Sequence, residues 1–284
     1  PGSDRVALSF GWPHAMSMSV RVTHQRQRDR EQARSAVTYK MGVAETERGL
    51  RISYAGYLPY LQVPGARPTE QHGMRERLAS LVPSLLTDKQ GKFSELPELA
   101  LSPRKKRLKA LKVKGKWRTR MAAKAVANDG LTRAARRFWD DRVGRWHGHP
   151  MMVRGEEQEE PDVLHVPELG GASVLAVTRY RFVDWVKCNE GAEDASCAEI
   201  HLETTPEPEA LAKAVQAFRK RRGRFQGALV TDVDKKIRAE LITEPRTLRP
   251  HRYKEARFTM VGLRDRHGNE SQSMTTDTQV ELYE

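Results

Sequence analysis

Apolar and polar residues alternate in short runs near the start of the chain. Between Ala33 and Val43, one side of an extended segment would carry Ala33, Ser35, Val37, Tyr39, Met41 and Val43; the other would carry Arg34, Ala36, Thr38, Lys40 and Gly42. A period of two over that length is the pattern of a strand with one wet face. Met18, Val20 and Val22 alternate likewise upstream, with a charged connection from Arg26 to Gln32, and Leu50, Ile52 and Tyr54 follow the turn-like Glu47-Arg48-Gly49. Three such runs joined by polar turns predict an antiparallel meander.

The period changes after a Pro- and Gly-marked linker from Pro59 to Pro68. From Thr69, a candidate N-cap, to about Trp146 the apolar spacing is helical. Met74, Leu78, Leu81, Val82 and Leu85 form one stripe, interrupted by Pro83. Leu131, Ala135, Phe138, Trp139, Arg142 and Trp146 form a better one, introduced by an Asn128-Asp129-Gly130 turn. Pro97, Pro103 and Gly115 between them predict several short helices. Alternation returns beyond Pro150: an acidic loop from Glu156 to Asp162, a long strand from about Val174 to Lys187, then a hairpin. An amphipathic helix follows from Pro206 to Arg222, with Leu211, Ala214, Val215 and Phe218 on one face. Strands are expected around Ile237 to Leu241, Phe258 to Leu263 and Gln279 to Tyr283, the last two joined by the turn Arg264 to Asn269. The expected fold class is α+β: a curved, half-barrel-like antiparallel sheet interrupted by a helical insert. Residues 4–58 supply N-terminal strands, 69–149 the insert, and 150–284 C-terminal strands of the same sheet with one helix at about 206–222.

Cys188 and Cys197, the two cysteines, flank the polar stretch Asn189 to Ser196. If the flanks pair with the cysteines opposite each other, Trp185 faces Ile200 and Val183 faces Leu202 on one side. Asp184 then faces His201 on the other. That register predicts a disulfide closing a short loop, worth about 2.5–3 kcal/mol by chain entropy, and with it an oxidising compartment. The alternative is two free thiols in a reducing one. The chain opens Pro1-Gly2-Ser3 with no methionine, so an export signal is expected to have been removed and the protein to work in the periplasm or cell envelope. No run approaches the roughly 20 apolar residues of a membrane-spanning helix.

Charge then sharpens the picture. Residues 101–146 hold sixteen Lys and Arg against three acids, which is the whole net charge of +13; the remaining residues sum to zero. The insert is therefore an organised basic segment. Its candidate polyanion-binding residues are Arg104, Lys105, Lys106, Arg107, Lys109, Lys112, Lys114, Lys116, Arg118, Arg120, Arg136 and Arg137. Trp117, Phe138, Trp139 and Trp146 lie among them as an aromatic lid or as core. Three readings stay open: a solvated helix face, attraction to an anionic membrane surface at about 1 kcal/mol per basic residue, and sequence-independent nucleic-acid binding by phosphate contact and stacking. No recognised nucleic-acid motif accompanies the charge, which weakens the last.

Candidates for chemistry are few. His147-Gly148-His149 places two imidazoles within reach of one metal if they share a strand, with Glu156 or Glu157 to complete a site, although the pair also suits a turn before Pro150. Asp184 with His201 resembles the orienting half of a hydrolytic triad but lacks a nucleophile. Gly115-Lys116 lacks the second glycine of a phosphate loop. Adjacent Asp140 and Asp141 on a helix point apart and cannot act across one bond. No cofactor is expected, and a metal-dependent hydrolase using His147 and His149 is the minor reading.

In layout, strands followed by a helical insertion ending in the Phe138-Trp139 to Trp146 segment, then a cysteine-closed hairpin and further strands, the chain resembles bacterial envelope proteins. Some of these are lipoproteins with a LolA-like curved antiparallel sheet. The resemblance rests on no diagnostic motif. It implies a concave face holding an apolar ligand beneath a helical lid, although the insert here is more basic than a lid requires. The function expected is non-catalytic binding of an apolar or amphiphilic ligand such as a lipid, or of an anionic membrane surface. Nucleic acid is the less favoured partner.

Overall fold

The structure is a computed structural model describing residues 3–13, 15–60, 84–97, 106, 109, 127–189, 191, 193, 195–221, 224, 225 and 227–284. Its strands are β1 (Arg5–Val6), β2 (Ala15–Arg28), β3 (Glu31–Thr46), β4 (Gly49–Tyr60), β5 (Ser84–Asp88), β6 (Phe93–Glu95), β7 (Met152–Val153), β8 (Gln158–Val166), β9 (Ala172–Lys187), β10 (Ala195–Pro206), β11 (Arg224–Phe225), β12 (Ala228–Thr243), β13 (Pro250–Arg264) and β14 (Glu270–Tyr283). Helix α1 (Asn128–Trp139) continues into a π-helical turn, Asp140–Gly144, and α2 covers Pro208–Lys220.

Twelve strands form one open antiparallel sheet in the order β6-β5-β4-β3-β2-β14-β13-β12-β10-β9-β8, with β11 paired to β12; β1 and β7 make a separate ribbon. The two ends of the chain meet inside the sheet, where β2 pairs with β14 from Arg28↔Thr275 to Val20↔Tyr283. This is the expected α+β class, a curved antiparallel sheet carrying a helical insert. β8 lies at one edge and contains Pro161, a residue that costs a ladder hydrogen bond and is tolerated at an edge.

One face of the sheet is buried through β9 and β12. Val174, Ala176, Thr178, Tyr180 and Phe182 of β9 are all buried, as are Val233, Lys235, Ile237, Ala239, Leu241 and Thr243 of β12. Among the described residues, two helices cover this face. Leu131, Ala135 and Trp139, spaced four apart on α1, join Val143 and Trp146 over Tyr39, Met41, Tyr54, Ile200 and Tyr253. Leu211 and Val215 of α2 cover Val174, Val230, Val233, Val261 and Leu263. Proline at the first position of α2 supplies a pre-set φ and no surplus donor. The N-terminal segment closes the first core: Phe10 stacks on Trp12, and Trp12 meets Trp139 edge-on at 5.2 Å. Gly91 is required there, because its φ is +77° and a Cβ would lie 2.5 Å from the Phe10 ring.

Several expectations are corrected. Leu85, placed on a helical stripe, is buried in β5, and β6 adds a second strand within the range expected to be helical. The rest of that stripe and the Thr69 cap lie outside the described residues. Asn128-Asp129-Gly130 is the first turn of α1 rather than a loop before it. The connection expected from Arg26 to Gln32 shrinks to Asp29-Arg30, with Arg28↔Glu31 already paired. The acidic loop from Glu156 is mostly strand: its residues from Gln158 onward pair with β9, because an edge strand can hold charges on its open side.

Candidate functional site

Cys188 and Cys197 are joined, with their Cα atoms 5.1 Å apart. The register around them differs from the direct pairing expected. Cys197 stands opposite Val186, Glu199 opposite Asp184, and after an irregularity Ile200 stands opposite Phe182. Phe182 and Tyr180 therefore meet Ile200 and Leu202 on the buried face, where Trp185 and Val183 were expected. His201 faces Arg181 and bonds Glu199 at 2.8 Å, while Asp184 pairs with Arg154 at 3.5 Å. No Asp184–His201 pair exists. The shift is a break in the register of the ladder, which one sequence of alternating residues does not announce.

Of the basic segment, Lys106 and Lys109 are helical and exposed. Arg104, Lys105, Arg107, Lys112, Lys114, Lys116, Arg118, Arg120 and Trp117 lie outside the described residues, as does Gly115. On α1 the cations divide. Arg136 is exposed, its guanidinium 5.2 Å from the centre of the Phe93 ring, and Arg133 pairs with Asp129 in solvent. Arg137 and Arg145 reach Asp141 from either side at 3.6 and 3.2 Å. The aromatic residues point inward: Trp139 is 2% exposed and donates Nε1–H to the Gly91 carbonyl at 2.6 Å, Trp146 is fully buried, and Phe138 packs against the same core.

Among the described residues, a buried polar arrangement joins the end of α1 to the sheet. Arg142 is 6% exposed and Glu281 not at all. Arg142 donates Nε–H to Glu281 Oε2 at 2.6 Å, a second bond to Oε1, and a third to the Phe138 carbonyl at 2.8 Å. Its guanidinium lies between the Phe138 and Tyr253 rings, 3.9 and 4.1 Å from their centres. Glu281 also accepts from Tyr283 and Gln279. Burial alone would weaken the arginine's charge. The Glu281 carboxylate overrides that and leaves its pKa well above the usual value, while burial first and the carboxylates second push Tyr253 and Tyr283 up. Nearby, Arg257 bonds Glu255 at 2.5 Å and Lys235 bonds Glu168 at 3.2 Å. The sequence signal for these groups was available: Glu281, Glu255 and Lys235 share the parity of buried residues in their strands.

Between the β5–β6 hairpin and α1 lies an open cleft of about 530 Å³. Lys92, Arg136 and Arg145 line it together with Asp88, Asp140 and His147. Burial raises the Asp140 carboxyl above its ordinary range, against the pull of Arg145. The two histidines do not converge. His147 is exposed and accepts the Phe10 N–H at Nδ1, 3.0 Å away. His149 is buried edge-on against Tyr180, 4.5 Å between centroids, with Nε2 3.6 Å from Glu160. Both lie past the helix end in turn and coil rather than on a strand, so the one-strand geometry their spacing invited is not formed. Tyr180 is pushed up to about 12, by burial first and then by Glu160.

The fold and this junction define a class: an open, mainly antiparallel α+β sheet with helices on one face, held by a disulfide of the kind favoured in oxidising compartments. Among the described residues no helix is long and apolar enough to cross a membrane. No family model and no curated protein matches the sequence. Among solved structures, the chain is similar to lipovitellin, determined for its lipid–protein interactions, with 8% identity and a TM-score of 0.43 over 96% of this chain. The match takes in 25% of lipovitellin, so this chain spans about a quarter of its length.

Proposed function

We propose that the protein is a non-catalytic binding component of an exported compartment, the periplasm or cell envelope, and that it docks to an anionic, amphiphilic surface through its basic segment. The observation that carries this reading is the separation of charge: residues 101–146 hold the entire net charge, while the sheet-forming remainder is neutral. The apolar inner face supports the surface reading over an enclosed apolar ligand, because Trp139, Val143 and Trp146 already fill it beneath α1. The cleft beside Arg136, with Lys92 and Arg145, offers cations to a headgroup. Burial of Trp139 and Trp146, with Phe138 packed against the same core, withdraws them from base stacking and weighs against nucleic acid.

The test is co-sedimentation with phosphatidylglycerol vesicles and with phosphatidylcholine vesicles across a salt series. Binding to the anionic vesicles alone, released by salt, is expected. Lys106→Gln with Lys109→Gln, both at exposed positions, should weaken partitioning about 30-fold if each lysine contributes about 1 kcal/mol. No vesicle binding at low salt sinks the reading, and single-stranded DNA binding without vesicle binding replaces it.

A further inference from the structure

We propose that Cys188, Cys197 and His251 become a metal site, suited to Zn²⁺, when the disulfide is reduced. One ring nitrogen of His251 and the two sulfurs all lie within 4.8 Å of one another. These residues come from three places: Cys188 just past β9, Cys197 on β10 and His251 on β13. The sheet, not local sequence, assembles them. Cys197 is fully buried and the His251 side chain is 8% exposed.

The histidine is held as a ligand usually is. Glu244 Oε1 lies 2.9 Å from His251 Nε2, and Thr247 donates to the other Glu244 oxygen at 2.8 Å. A carboxylate on one imidazole nitrogen orients the ring and raises the basicity of the other nitrogen, the arrangement metal-binding histidines use. The tight turn from Glu244 to Arg249, closed by the Glu244 N–H to the Arg249 carbonyl at 3.0 Å, fixes that carboxylate.

Bonds of about 2.3 Å to sulfur and about 2.1 Å to nitrogen put tetrahedral ligand atoms roughly 3.6–3.8 Å apart. With the cysteine Cα atoms only 5.1 Å apart, side-chain rotation can separate the sulfurs that far while the strands stay paired. Two thiolates and one imidazole are a borderline-soft set that suits Zn²⁺, with water in the fourth position. The balance is simple. Two equivalents of a thiol form their own disulfide, or one phosphine takes the oxygen of one water to become its oxide, and either leaves two protein thiols; the ion then displaces one proton from each thiol, and neutral His251 donates a lone pair. The oxidised protein lacks the thiolates and does not bind.

Full-length protein reduced with a phosphine and titrated with Co²⁺ tests this, with far-ultraviolet circular dichroism recorded alongside. One Co²⁺ per chain is expected, with thiolate-to-metal charge transfer and the visible bands of a tetrahedral site, displaced by Zn²⁺. His251→Ala should remove the tetrahedral signature while the fold persists. Glu244→Ala should weaken Zn²⁺ competition about 10- to 100-fold. The proposal fails if folded, reduced protein shows no charge-transfer band, or if His251→Ala gives an unchanged spectrum. It also fails if the oxidised protein binds equally well, or if reduction alone melts the sheet.

Discussion

Replacing Arg142 with methionine isolates the junction between α1 and the sheet. Methionine keeps most of the apolar stem between Phe138 and Tyr253 but removes the guanidinium. Glu281 then loses two charge-assisted hydrogen bonds and the Phe138 carbonyl loses one. Bonds to charged groups contribute about 1.5–3 kcal/mol each, but they do not add freely, because Tyr283 and Gln279 still donate to Glu281. The governing quantity is the carboxylate stranded with no solvent exposure, and breaking a buried pair in this way costs about 3–5 kcal/mol. At about 2–4 °C per kcal/mol for a chain of this order of size, the melting temperature should fall by roughly 6–20 °C. Glu281→Gln in the Arg142→Met background removes the stranded charge, so the double variant should recover much of the loss. Denaturant unfolding of the wild type, both single variants and the double variant gives the coupling directly. A single-variant cost under about 1 kcal/mol, or a double variant as unstable as the sum of the singles, would refute the idea that this pair anchors the helix.

Two further outcomes follow from the ion pairs and the disulfide. Burial pushes the Glu255 carboxyl up, but Arg257, Arg142 and Arg137 together hold it below the ordinary value of 4.5. A depressed carboxyl stabilises the fold above its unfolded pKa, and that contribution is lost as pH falls through the folded value. The stability advantage of wild type over Glu255→Gln should therefore shrink below about pH 4.5 in thermal melts, and parallel pH profiles would contradict it. Cys188→Ser with Cys197→Ser opens a link between residues nine apart and should cost about 2.5–3 kcal/mol in denaturant unfolding. An unchanged midpoint would show that the link adds nothing to stability.

Much of the sheet was legible from the chain alone. β2, β3, β4, β9, β12 and α2 follow apolar periods that only one secondary structure satisfies, since a strand must turn alternate residues to one face and a helix every third or fourth. The pairing of the cysteines was legible because their strands flank a short polar loop. β5 was not: Leu85 is one of few apolar positions, too short a run to separate strand from helix, and the decision came from pairing Leu85 with Ile52 of β4. β8 was hidden for the opposite reason, because its acidic residues read as loop until an edge position exposes them to water.

The sequence by itself determined the alternation that makes a sheet, the charge gathered in residues 101–146 and the presence of two cysteines close enough to join. Only the tertiary structure decided the register at the disulfide hairpin, the strand order that sets β2 beside β14, and the meeting of groups far apart in the chain. Arg142 and Glu281 are 139 residues apart, and His251 reaches the disulfide from β13. Periodicity reports which face a residue occupies, not which residue it meets. That choice is made when strands pair and a buried charge must find its one compensating partner.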